Sequence, residues 1–239
     1  MTSETASSVP TRRKHRRAQW SVPAVIFLCL IPVIAGAARL AELTGGAAVT
    51  AQNERFFASP VPVVTHIVSV TVYSLLGAFQ FVPELRRGRR RWHRISGRIL
   101  VPAGLLAAFS GLWMSVFYAL PPSDGEALLI LRLIFGSAMA ASIILGFLAI
   151  LRRDFARHGA WMTRAYAIGL GAGTQALVIL SWILVLGQTD QTTRAVLMGS
   201  SWVVNLAVAE YVIQRRSRMP APWSSAQGRS LEPSTGSPR

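Results

Sequence analysis

Three chemically capable side chains recur at intervals of seven inside one apolar stretch: His66, Tyr73 and Gln80. Seven residues make almost two turns of an α-helix, so the three share one face. An imidazole, a phenol and a carboxamide on one stripe can line a polar pathway, hold a ligand or hydrogen-bond across to a neighbouring helix. Two more histidines, His93 and His158, stand in the arginine-rich segments RRRWHR and RRDFARHG. Imidazole is the commonest protein ligand of haem iron, and a pair of histidines on facing helices suffices to hold a haem.

The elements that position these residues are set by hydropathy. Apolar residues make up 51% of the chain and charged residues 15%, with a mean hydropathy of +0.40. Soluble domains carry about 25% charged residues. The uncharged runs Ile99–Leu120, Leu133–Leu151 and Ala165–Gln188 are each long enough to cross a bilayer as a helix. Their continuous rather than alternating apolarity excludes barrel strands. The expected fold is an all-α, polytopic membrane bundle with six spanning helices near 21–43, 61–83, 95–118, 127–151, 160–187 and 194–214. Residues 1–20 are expected to be a basic cytoplasmic arm, 21–214 the membrane domain and 215–239 a disordered cytoplasmic tail. The apolar run after the basic arm is long for a secretory signal, so the first helix is read as uncleaved.

Charge gives orientation. The formal net charge is +15, and Arg supplies all but one of the basic residues. They concentrate in alternate segments: the N-terminal arm, the turn at 84–98, the segment 151–164 and the tail. The intervening loops carry Glu42, Glu54, Asp124, Glu126 and Asp190. By the positive-inside rule both termini are cytoplasmic, in a bacterial plasma membrane. Basic clusters beside apolar helices point to anionic lipid headgroups as partners rather than to nucleic acid.

This topology separates the histidines. His66 falls near the outer end of the second helix, and His93 and His158 fall at the inner face, so the three cannot form one site. His93 and His158 could hold haem b between helices 3 and 5, against the small residues Ala165, Gly169, Ala172 and Ala176. The other reading places both histidines among phosphates and backbone at the headgroups. The expected neighbours of His66 are Arg39, Glu42, Tyr118 or Arg132. Arg39 and Arg132 lie close enough to helix ends to snorkel outward. Gln175 and Asn205 are expected to bridge helices, and Glu210 to pair with an inner Arg. Cys29 is the only cysteine, which excludes an intrachain disulfide and leaves a small packing residue. No metal site and no nucleophile–base pair is apparent.

The pattern His66…Gly77-x-x-Gln80-Phe81-x-Pro83-x-Leu85-Arg86…His93-Arg94-x-x-Gly97-Arg98, followed by His158-x-x-Trp161-Met162-x-Arg164-x-Tyr166-Ala167, resembles the bacterial membrane family catalogued as domain of unknown function 2306. The likeness covers about 61–187 and singles out Arg94, Arg98, Trp161 and Arg164 beside the histidines. Gly159 follows His158 where the family commonly has Arg. The resemblance implies a membrane protein and no established activity. Three functions are therefore expected in turn: a redox role through haem b or quinone at His66, His93 and His158; a small-solute carrier using the His66, Tyr73 and Gln80 stripe; and a non-enzymatic membrane module that binds anionic lipid or a protein partner.

Overall fold

The computed structural model describes residues 12–80 and 90–218, with side chains over 23–80 and 91–218. Among these residues the secondary structure is entirely helical: α1 Arg12–Thr44, α2 Glu54–Ala58, α3 Pro60–Gln80, α4 Arg90–Phe117, α5 Glu126–Leu151, α6 Phe155–Gly169, α7 Gly171–Leu186 and α8 Gln191–Ser217. Six helical stretches are long and apolar enough to span a membrane, α6 and α7 together counting as one. The expected bounds differ in detail. Helix α1 begins within the basic arm, because Arg, Lys, Gln and Ala propagate a helix beyond the bilayer. The loop expected at 44–60 contains the short α2. The expected end of the second helix at 83 and the tail beyond 218 lie outside the described residues.

The fifth span is interrupted. Helix α6 stops at Gly169 and α7 starts at Gly171, within the segment GLGAG. Glycine weakens a helix interior by about 1 kcal/mol relative to alanine. Close contact fixes the glycines here. A methyl group at Gly173 would fall on the Leu28 carbonyl of α1, and one at Gly171 would meet the Trp202 indole of α8.

The turn between α5 and α6 is tight. Arg153 adopts φ +57°, while the Arg153 N–H reaches the Ile150 carbonyl and the Asp154 N–H the Ala149 carbonyl. This is a Schellman closure with arginine where glycine is usual. Asp154 then caps α6 by accepting from the Arg157 N–H at 3.0 Å.

Helix α3 packs along α4, α4 on α5, and α5 on α6. Helix α1 lies against α3 and α7, and α8 against α5, α6 and α7. The core they share includes Cys29, Tyr73, Leu100, Met139, Ile143 and Tyr166. Outward-facing Val68, Phe109, Ile134 and Leu184 are more than half exposed, as an apolar solvent allows.

The α3–α4 contact has a regular antiparallel register. His66 meets Ala107 and Ser110, Tyr73 meets Gly104, and Gln80 meets Ser96. Gly104 is a steric requirement of this register. A Cβ there would lie 2.6 Å from Tyr73 Cε2 and 2.7 Å from Ile143 Cδ1, whereas nothing lies within 4 Å of a Cβ at Gly97.

Gly104→Ala is therefore expected to lower stability by about 1–3 kcal/mol, the usual cost of overpacking, and Gly97→Ala to be neutral or slightly stabilising. The buried Cys29 thiol supplies the measurement: the temperature at which it becomes reactive in detergent should fall only in Gly104→Ala.

Candidate functional site

The polar stripe of α3 is spent on the interface with α4. His66 Nδ1 lies 3.0 Å from the Ala107 carbonyl and 3.1 Å from Ser110 Oγ. A carbonyl only accepts, so Nδ1 carries the proton and Nε2 keeps the lone pair. None of Arg39, Glu42, Tyr118 and Arg132, the neighbours expected from depth, hydrogen-bonds to His66; a helix backbone one step inward does. Tyr73 is 3% exposed, its ring fitted between Gly104 of α4 and Gly169 of α6. Gln80 donates to Ser96, which in turn donates to the Trp92 carbonyl at 2.6 Å.

A second polar knot lies behind Tyr73. The Tyr166 hydroxyl donates to the Ser74 carbonyl at 2.9 Å, and Cys29 Sγ lies 3.3 Å from the same hydroxyl. Tyr73 and Tyr166 have ring centroids 5.8 Å apart. Gly77 of α3 is the seat of the Tyr166 ring. The faces on which a flat cofactor between α3, α4 and α6 would lie are thus the seats of two tyrosine rings. Of the small residues expected to face haem, Ala165 is buried in the core, Gly169 touches Tyr73 and Met139, and Ala172 is exposed.

His158 is placed by α5. Its Nδ1 lies 2.8 Å from the Gly146 carbonyl. A side chain at Gly146 would also collide with Met162 and crowd Trp161. Arg164 lies over the Trp161 ring, 4.7 Å from its centroid, and forks onto Glu210 of α8 at 2.5 and 2.9 Å. The His158, Trp161, Met162 and Arg164 pattern therefore fastens α6 to α5 on one side and to α8 on the other. Glu210 pairs with an Arg as expected, and that Arg is Arg164. His93 is half-buried near the start of α4. Helices α4 and α6 each pack on α5 rather than extensively on one another. No group of three or more His, Cys, Asp or Glu suited to a metal ion occurs among the described residues.

The deeper polar residues bridge helices. Gln175 donates to the Met198 carbonyl at 3.1 Å, and Asn205 donates to the Ala167 carbonyl at 3.2 Å.

At the opposite end of the bundle, Asp124 is the residue that sequence reasoning passed over. Its side chain is 2% exposed. It accepts from Arg132 of α5 at 2.6 Å and from Arg194 of α8 at 2.8 Å. Gln191 also donates to the Pro122 carbonyl in the same turn. Arg132 is thus bound inward rather than snorkelling, and Arg39 pairs with Glu42. Position offered one signal: Asp124 sits in the turn PPSDG, and α5 and α8, which start at that end, each bring an Arg within two turns.

Comparison with known families gives one match. The family model described as "Predicted membrane protein (DUF2306)" matches residues 63–213, more than half of the chain. No curated protein matches the chain. No solved structure matches it.

Removing one partner of a buried charge pair typically costs about 3–5 kcal/mol. Asp124→Ala should therefore lower the detergent melting temperature by more than any single loss among the half-exposed arginines. Adding Arg132→Met and Arg194→Met should recover part of that loss, and the same thermal scan measures both.

Proposed function

Because this chain belongs to the DUF2306 family of predicted membrane proteins, a label that names no activity, we propose a function from its distribution of charge: a membrane module whose arginine-rich end is cytoplasmic and binds anionic lipid headgroups. The carrying observation is a surplus of unpaired arginines at one end. Arg91, Arg94 and Arg98 start α4, Arg152 and Arg153 form the α5–α6 turn, and Arg215 and Arg218 end α8. All seven are exposed, and none has a carboxylate partner among the described residues. The described carboxylates at that end are Asp154 and Glu210, and both are engaged, by Arg157 and Arg164. Lipid phosphates are the remaining counter-charges of the right chemistry and depth.

The spacing of Arg91, Arg94 and Arg98 places them on one face of α4. Trp92 beside them is 40% exposed, as a ring at headgroup level would be. The start of α1 and the end of α8 lie at this end of the bundle, and the proposal places it on the cytoplasmic side of a bacterial inner membrane. The redox reading draws on His66, His93 and His158, and the solute-carrier reading on His66, Tyr73 and Gln80. The contacts of His66, Tyr73, Gln80 and His158 serve helix packing, and the surplus arginines have no such employment.

Each basic residue near an anionic membrane surface contributes about 1 kcal/mol of attraction. The triple variant Arg91→Gln, Arg94→Gln, Arg98→Gln should lose most of the thermal stabilisation that the wild type gains when anionic lipid replaces zwitterionic lipid in nanodiscs. Equal gains in variant and wild type would leave these arginines a topological role alone.

A further inference from the structure

The end of the bundle opposite the arginine-rich face carries a second, smaller arrangement of guanidinium groups with a different logic. Arg39 of α1 and Arg55 of α2 converge on one aromatic ring: each guanidinium carbon lies 4.6 Å from the centroid of Phe56. Phe56 in turn stands edge-on to Tyr118, with centroids 5.5 Å apart, and Tyr118 stands edge-on to Trp113. The Tyr118 hydroxyl donates to the Ser59 carbonyl, which holds the segment between α2 and α3 against the end of α4.

Four guanidinium groups gather at this end: Arg39, Arg55, Arg132 and Arg194. Two carboxylates among them are already filled. Glu42 accepts from Arg39 and from the Asn53 carboxamide, and Asp124 accepts from Arg132 and Arg194. Arg55 is half-buried and makes no ion pair among the described residues. Glu54, its exposed neighbour in sequence, forms no salt bridge with it. Burial, followed by the Arg39 charge, holds the Arg55 pKa below the ordinary arginine value, and Asp124 opposes this only in part. A guanidinium stays protonated in proteins, so an oxyanion relieves this crowding where proton loss does not.

We propose that Arg55, on its Phe56 and Tyr118 platform and backed by Arg39, is the primary contact of a site for a phosphate group at this end of the bundle. The planar fork of arginine matches two phosphate oxygens. The phosphate comes from a lipid headgroup of that leaflet or from solution. Exposed Val61 and Phe117 beside α2 and Tyr118 offer apolar contact to a lipid chain. The proposal is independent of the reading of the arginine-rich end, because it concerns other residues at the other end.

The test uses the full chain in nanodiscs, with wild type, Arg55→Gln and Arg55→Lys. In the first arm the nanodiscs are zwitterionic and inorganic phosphate is titrated at constant ionic strength, with phosphorus NMR line broadening as the readout. In the second arm phosphate is absent, anionic phospholipid is added to the bilayer, and the melting temperature is read. Losing a charge-assisted hydrogen bond of about 1.5–3 kcal/mol weakens binding about tenfold to a hundredfold. A loss of that size for free phosphate in Arg55→Gln, with partial retention in Arg55→Lys, supports the site with a soluble source. A smaller anionic-lipid stabilisation in Arg55→Gln than in wild type supports it with a headgroup source; the arginine-rich end contributes equally to both proteins. Identical behaviour of wild type and Arg55→Gln in both arms overturns the proposal. Cys29 thiol protection checks that each variant is folded, and Arg55→Lys serves if Arg55→Gln is not.

Discussion

A hydrocarbon solvent supplies no hydrogen bonds, and this constraint decides where nearly every polar side chain of the bundle goes. A polar group buried without a partner costs several kcal/mol in such a medium. The response is to turn polar groups toward neighbouring helix backbones. His66 uses the Ala107 carbonyl, Tyr166 the Ser74 carbonyl, His158 the Gly146 carbonyl, Gln175 the Met198 carbonyl and Asn205 the Ala167 carbonyl. Each bond crosses from one helix to another. Polar residues thereby set the register of helices whose apolar surfaces alone would slide.

Small residues complete the same design. Gly77, Gly104 and Gly169 give two tyrosine rings flat seats at the centre of the bundle. Helices brought close by glycine gain dispersion contacts that lipid chains would otherwise provide. Charges are excluded from this centre and sorted to the two ends. At one end Asp124 gathers two arginines and ties the α4–α5 turn to α5 and α8. At the other, arginines outnumber the carboxylates able to satisfy them. The first arrangement closes on itself, and on the second rests the proposal of a lipid partner.

The six spans were legible in the sequence because apolarity over about 20 residues is a bulk property. The family was legible because its marker residues lie in short, fixed spacings. Partners were harder to read, since depth along a helix does not say which way a side chain turns. His66 was expected beside Arg39, Glu42, Tyr118 or Arg132 and instead meets a backbone carbonyl on α4. Arg132 was expected to snorkel because it lies close to the end of its helix, yet the preceding turn folds back and sets Asp124 on it. The interruption at Leu170 lay within view as GLGAG, but the approach of the Leu28 carbonyl and Trp202 to its glycines belongs to tertiary packing. The helical onset at Arg12 was hidden because the basic block was read as an arm ahead of the first span.

The proposed completion of the arginine-rich end by anionic lipid can be read from the lipids that the protein retains. Native mass spectrometry of the wild-type protein, released from membranes of known mixed composition, tests it most directly. Bound anionic phospholipid is expected in clear excess over its share of the bulk membrane, surviving activation that strips zwitterionic lipid. Bound lipid that mirrors the bulk composition and leaves at the same activation energy would contradict it.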